Sequence, residues 1–404
     1  MTDTPDVFTG SFTQQEPIPQ RAIDAALEVL QHGRLHRYNT QGDEIAQTAL
    51  LEQEFAAQIG AKYCLAVASG GYALACALRA VGVRAGERVL TNAFTLAPVP
   101  GAIASLGAEP VFVEVTENLV IDLDDLAEKA SDPRVKVLML SHMRGHLCDM
   151  DRLSEICAAA GVLVIEDCAH TMGASWNGTP SGRHGAVGCF SMQTYKHINS
   201  GEGGLLVTDD EEIAARAILL SGSYMLYDRH LAAPPAEVFE RVKYHTPNVS
   251  GRMDNLRAAI LRPQLEALDA QITRWNERYQ TVEAGLGGTP GLQRVMRDPR
   301  GKIVGSSIQF MLLDWPAEAV QQVLDRCRVR GVELKWFGGV EPAGFTSRYD
   351  SWRYAETTPL PVTDRVLAGL LDMRLPLTFS IEDCALIARI IRAEVSAVWQ
   401  ATTG

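Results

Sequence analysis

The stretch Gly161-Val-Leu-Val-Ile-Glu-Asp-Cys-Ala-His170 decides the fold. Gly161–Glu166 is an apolar run too short for a buried helix and rich in β-branched side chains, so it reads as a buried strand. It ends on carboxylates, with His170 three residues beyond Asp167. Outward from it, Lys62–Ala68, Arg88–Thr91, Pro110–Val115, Val135–Ser141 and Gly204–Thr208 read as further strands. Glu44–Ile59, Tyr72–Val83, Pro98–Leu106 and Asp210–Leu220 carry helical spacing. Strands alternating with helices predict an α/β fold with a mostly parallel sheet between helices. In such a sheet ligands bind beyond the carboxyl ends of the strands, where Asp167 would stand.

After Thr208 the pattern loosens through Ser221–Ser250. A long helical run then extends from Met253 to Leu286, followed by a strand over Ile308–Leu313, a helix over Ala317–Arg328, a strand over Val332–Trp336 and a helix over Ile381–Trp399. This tail predicts a smaller α+β domain. One core stops growing near roughly 250–300 residues, and the chain has 404. The expected division is an N-terminal arm or helix over 1–35, a large domain over 36–265 and a small C-terminal domain over 266–404.

A net charge of −12 without a dense basic run argues against a nucleic-acid partner. The first residues lack the basic and apolar regions of a signal peptide, and no apolar stretch reaches membrane-spanning length. The eight cysteines are scattered, with no Cys-x-x-Cys pair. They read as reduced core thiols in a soluble, cytoplasmic protein, and no metal site is expected.

Three stretches carry chemistry. Asp167 ends a strand, where a carboxylate can keep a pyridine-type nitrogen protonated; it could equally cap a following helix. Lys196 lies in Gly188-Cys-Phe-Ser-Met-Gln-Thr-Tyr-Lys196, followed by a glycine-rich exit through Gly204. A lone lysine is ordinarily a solvated surface group, whereas a Schiff-base lysine needs a desolvating pocket that lowers its pKa. Ser69-Gly-Gly-Tyr72 stands between a strand and a helix, where small residues let backbone N–H groups approach a phosphate. It is neither a Walker A loop nor a GxGxxG turn.

The order strand–SGG–helix, then EDCAH, then FSMQTYK and GEGG, resembles the DegT/DnrJ/StrS sugar aminotransferases, which adopt the fold-type I architecture of aspartate aminotransferase. The resemblance implies a pyridoxal 5′-phosphate enzyme in which Lys196 is the catalytic Schiff-base lysine. It implies that Asp167 faces the pyridine nitrogen and His170 the ring hydroxyl, with Ser191, Gly70 and Gly71 on the phosphate. Asn248, in Pro247-Asn-Val-Ser-Gly-Arg252, would reach the phosphate of a neighbouring subunit, making the protein a homodimer with shared active sites. The implied reaction is ping-pong transamination from L-glutamate or L-glutamine, through pyridoxamine phosphate, to a keto-sugar, cyclitol or related carbonyl acceptor.

The chain departs from the family pattern at several points. Gly71 stands where threonine is usual, and Leu96 where an aromatic ring often stacks on the cofactor, unless Phe94 substitutes. Asn248 and Arg252 are separated by three residues where the family's Asn-x-Arg has one, so either Asn248 or Ser250 reaches across. His142, Arg144 and His146 follow a strand; they read as a polar loop, with pocket lining or a His-x-x-x-His metal pair as alternatives. Trp336 and Phe337 suit a substrate entrance or the core. Competing readings are a dehydratase, in which histidine replaces the lysine, a desulfurase-like lyase needing a mobile cysteine, and a non-catalytic cofactor-binding regulator.

Overall fold

The computed structural model describes residues 6–403. A seven-stranded sheet organises the first part of the chain. Its strands are β1 (Tyr63–Val67), β2 (Arg88–Asn92), β3 (Glu109–Val113), β4 (Val135–Ser141), β5 (Leu163–Asp167), β6 (Val187–Ser191) and β7 (Gly204–Thr208). Their spatial order is β1-β7-β6-β5-β4-β2-β3, and only β7 runs against its neighbours. Period-two alternation buries both faces. Leu65 and Val67 enter one core cluster with helices Gly70–Ala80 and Glu211–Ser221, while Cys64 and Ala66 enter another with helix Gln47–Ile59. On the second face Leu138, Leu140 and Val164 pack with helices Leu123–Ala130 and Met150–Ala160.

Local chemistry sets the helix ends. Asp122, Asp149, Asp210 and Asp254 each accept backbone N–H bonds at a helix start, satisfying donors that have no intrahelical partner. The expected helix over Tyr72–Val83 instead spans Gly70–Ala80. Ser69 caps it, accepting from Tyr72 N at 3.1 Å, and Gly82, at φ 92°, lies in the turn that ends it.

A second sheet is antiparallel and four-stranded: β8 (Gln293–Arg294), β9 (Ser307–Met311), β10 (Lys335–Trp336) and β11 (Leu370–Arg374), in the order β8-β9-β11-β10. Its apolar face packs on helices Leu268–Leu286, Ala317–Val329 and Ile381–Thr403. Phe8 and Phe12 reach back from the N-terminal segment into this second core. The single long helix expected over Met253–Leu286 is two, Asn255–Glu266 and Leu268–Leu286, broken at Ala267. Pro263 removes an N–H from the last turns of the first. Helix Asn255–Glu266 packs against Gln20–His32, and helix Leu268–Leu286 against Ile381–Thr403.

Candidate active site

The site is assembled where the strands of the large sheet end. Parallel pairing sets Ser141 beside Asp167 at the ends of β4 and β5. Ser141 Oγ donates to Asp167 Oδ2 and Ala169 N to Oδ1, each at 3.1 Å. A turn rather than a helix follows, so Asp167 is not a helix cap. Burial pushes its pKa up, while the Ala169 N–H, Lys196 and Ser141 pull it back.

Lys196 sits in the turn between β6 and β7, with its Nζ 2.8 Å from His170 Nε2. Burial, reinforced by the positive charge of Arg144, pulls the Lys196 pKa down to about 7, although nearby Asp167 opposes the fall. Burial and the lysine's charge also hold His170 well below its ordinary value, so its imidazole is neutral near pH 7. An amine that can shed its proton at neutral pH beside a buried carboxylate is the chemistry a carbonyl cofactor requires.

The glycine turn lies close by. Gly204 is paired with both Val67 and Ser191, which brings the ends of β1 and β6 together. A Cβ on Gly204 would fall 2.3 Å from Ser69 O, and one on Gly70 would fall 2.7 Å from Ser191 Cβ. The three segments therefore meet backbone to backbone, and Gly70 and Gly71 open a helix whose first N–H groups have no intrahelical partner. Gly71 is different: a Cβ there would meet only Pro98 Cβ, at 3.7 Å.

A cavity of about 450 Å³ opens between the two sheets, lined by Lys196, His170, Leu96, Arg144, Lys335 and Arg374 among others. Leu96 lines it and Phe94 does not; Phe94 is buried 5.2 Å from the ring of Phe337 in a core cluster. Asn248 and Ser250 lie on an exposed loop outside the cavity, with Ser250 N donating to Asn248 Oδ1 at 3.0 Å. Ser250 holds a left-handed φ of 55°, which accommodates the longer spacing to Arg252.

The remaining candidates separate. His142 Nε2 binds Glu166 Oε2 at 2.9 Å and His146 Nε2 binds Gln309 Oε1 at 2.8 Å, so the two histidines serve different partners rather than one ion. His142 does gather with Glu166 and Cys168, but Glu166 already accepts three backbone N–H groups, from Gly182, His184 and Gly185. Phe337 is core, and Trp336 Nε1 donates to Ala368 O. His197, beside the lysine, is turned onto Ser306 Oγ and the ring of Trp275. Cys327 and Cys384 are buried, unlike a mobile nucleophile. Sequence reading missed Lys335 and Arg374. Their signal was charge alternating with apolar residues in two short strands, Leu371-Asp-Met-Arg374 and Leu334-Lys-Trp336.

Residues 18–392 match the DegT/DnrJ/EryC1/StrS aminotransferase family. The chain belongs to that family. It is 36% identical over 253 residues to the 3-amino-5-hydroxybenzoate synthase of Amycolatopsis mediterranei, covering 62% of each chain. It is 34% identical over 258 residues to the L-glutamine:scyllo-inosose aminotransferase of Streptomyces griseus, covering 63% of this chain and 60% of that one. The crystal structure of a 3-amino-5-hydroxybenzoic acid synthase superposes with a TM-score of 0.80 at 28% identity, over 96% of this chain and all of the other. This aminotransferase is therefore a fold-type I, pyridoxal-phosphate-dependent enzyme. The residues fit that cofactor on their own chemistry: an amine with a depressed pKa, a buried carboxylate and a glycine cradle that a Cβ would fill.

Proposed function

We propose that this enzyme moves an amino group from L-glutamine or L-glutamate to the carbonyl of a keto-sugar, cyclitol or related ring compound, in two alternating half-reactions. The observation that carries the reading is the placement of the Lys196 amine, with its pKa near 7, against His170 and close enough to Asp167 to feel its charge. The named activities of the Streptomyces and Amycolatopsis relatives support the substrate class.

Bound pyridoxal phosphate supplies a carbonyl for the incoming amine and a ring that withdraws electrons from the carbon to be deprotonated. Lys196 would hold the cofactor through Nζ and, as a free amine, would carry the proton from the donor's α-carbon to the cofactor's carbonyl carbon within one half-reaction and carry a proton the other way in the next. Asp167, fixed by Ser141 and Ala169, keeps the ring nitrogen protonated. His170 orients the ring hydroxyl. Gly70, Gly71 and Ser191 hold the phosphate at a helix N-terminus.

We also place Asn248 in a homodimer contact. It is exposed, beside the equally exposed Tyr224, Met225 and Val249, on a loop that pairs with the end of β1 next to the glycine turn. Eight buried, unbridged cysteines support a reducing, cytoplasmic setting. No helix among the described residues is long and apolar enough to cross a membrane.

The test is an absorption spectrum of the purified protein with L-glutamine or L-glutamate, repeated with Lys196→Ala. A visible cofactor band that an amino donor bleaches, that a keto acceptor restores and that the variant lacks supports the reading. A band that no donor changes refutes it.

A further inference from the structure

Pairing in the second sheet sets one polar face toward the cavity. Lys335 and Gln309 both register with Asp372, and Ser307 registers with Arg374. Asp372 and Arg374 share a face because side chains alternate along a strand; Leu371 and Met373 point the other way, into the core. From the large sheet, Arg144 comes to meet this face, at a left-handed φ of 55°. Lys335, Arg374 and Arg144 thus line the cavity together.

The charges do not cancel. Asp372 Oδ2 lies 2.8 Å from Arg144 Nη2, but off the line of a hydrogen bond, and Arg144 Nε and Nη2 have no hydrogen-bond partner although the residue is only 8% exposed. Among the described residues no carboxylate forms an ion pair with Lys335 or Arg374. Lys335 lies 5.5 Å from the centroid of the Phe345 ring, and Arg374 lies 3.8 Å from that of Tyr195. Burial and mutual repulsion hold the pKa values of both below their usual range. Three cations face only Asp372 and Glu333, an excess of positive charge that is costly for a half-buried wall unless an anion completes it. The cofactor's phosphate is not that anion if it occupies the glycine turn, since Gly70, Gly71 and Ser191 do not line this cavity.

We infer that Arg144, Lys335 and Arg374 form a specificity subsite for a substrate carboxylate beyond the α-carboxylate of an amino donor. The inference rests on the aminotransferase reading and narrows it: one of the two substrates is a dicarboxylate amino acid or an acidic ring acceptor. A guanidinium fork matches the geometry of a carboxylate, and a second cation beside it neutralises a second charge.

Calorimetric titration of the cofactor-loaded enzyme with glutarate, with glutaramide as the uncharged control, tests this. Saturable glutarate binding is expected, at least tenfold tighter than glutaramide and weakened by added salt. Lys335→Met and Arg374→Met, which keep aliphatic bulk, should each weaken glutarate at least tenfold while retaining the visible cofactor band. Arg374→Lys, which keeps the charge without the fork, should recover part of the loss, which a merely structural role would not produce. The source of the carboxylate follows from donor half-reactions. An Arg374→Met variant that raises the KM for L-glutamate but not L-glutamine assigns the subsite to the donor; unchanged donor KM values assign it to the acceptor. Absent glutarate binding, equal binding of glutaramide, or wild-type binding in both methionine variants overturns the subsite. Tighter binding of inorganic phosphate than of glutarate overturns its assignment to a carboxylate. If glutarate binds as expected but no amino donor changes the cofactor spectrum, the subsite stands and the aminotransfer reading falls.

Discussion

Lys196 Nζ and His170 Nε2 stand 2.8 Å apart, two basic nitrogens in hydrogen-bond contact within a desolvated pocket. Burial is the main reason that both groups titrate below their ordinary values, with the charge of Arg144 adding to it at Lys196 and the charge of the lysine adding to it at His170. Lys196 without cofactor should therefore behave as a nucleophile at neutral pH. With its pKa near 7, the amine is mostly neutral by pH 8, whereas an ordinary lysine is almost entirely protonated there. The rate of pyridoxal phosphate uptake by the apoenzyme should rise with pH along a curve with its midpoint near 7. His170→Phe should leave the low midpoint in place, because burial and Arg144 dominate it. A midpoint above about 9 in the wild-type protein would contradict the geometry.

The two adjacent glycines of the phosphate turn should respond oppositely to substitution. Gly70→Ala drives a methyl group into Ser191, only 2.7 Å away, and must displace β6 or the turn. A loss of cofactor affinity of roughly tenfold or more is expected, with a cost of about 1–3 kcal/mol from overpacking. Gly71→Thr has space, meeting only Pro98 at 3.7 Å, and it also removes a helix glycine worth about 1 kcal/mol relative to alanine. It should leave the Tm unchanged or higher and should slow cofactor loss on dialysis. Equal damage from both substitutions would mean that the turn is not packed as described.

How much of this was visible in the sequence depends on whether the signal was local. Val135–Ser141 and Gly204–Thr208 were legible to the residue, since strands buried on both faces leave a continuous apolar run. The reversed direction of Gly204–Thr208 was not, because periodicity is the same in either direction. The glycine turn, Asp167, Ser191 and Lys196 stood out as motifs, but their meeting depends on Gly204 pairing with two strands at once. Lys335 and Arg374 left only the faint signal of a charge between apolar neighbours: each sits in a short strand, and their common face exists only through the register at Asp372. The break at Ala267 was hidden because the helical spacing continues across it.

A buried ion network away from the site sets acid stability. Arg37 donates to both oxygens of Glu52, at 2.8 and 2.9 Å, and Glu52 also accepts from Ala66 N at 2.8 Å and contacts His230 Nδ1 at 3.1 Å. Burial alone would raise the Glu52 pKa; Arg37 and His230 instead hold it down at about 2. A carboxylate with a folded pKa below its unfolded value contributes stability that is present above about pH 4.5 and is lost as pH falls toward 2. Glu52→Gln leaves the Arg37 guanidinium buried without its counter-charge and should cost about 3–5 kcal/mol, read as a Tm several degrees lower at pH 7. The gap between variant and wild type should narrow as pH drops below about 4. A gap that stays constant with pH would show that the loss comes from packing instead.

Asn248 offers the sharpest test of a shared site, because its loop lies outside the cavity of its own chain. Loss of a hydrogen bond to a charged phosphate costs about 1.5–3 kcal/mol, so Asn248→Ala should weaken cofactor binding by roughly 10- to 100-fold. Lys196→Ala should abolish turnover outright. In a symmetric dimer with crossed contributions, mixing the two inactive chains places both defects in one site and leaves the other intact. With random exchange about half the dimers are mixed, so about a quarter of the wild-type activity should return at limiting cofactor. Ser250→Ala, used in place of Asn248→Ala, should retain activity alone if Asn248 is the reaching residue. Recovery with Asn248→Ala locates the phosphate contact across the dimer. No recovery, with subunit exchange verified by mass, would place Asn248 outside the site altogether and leave each chain with a self-contained pocket.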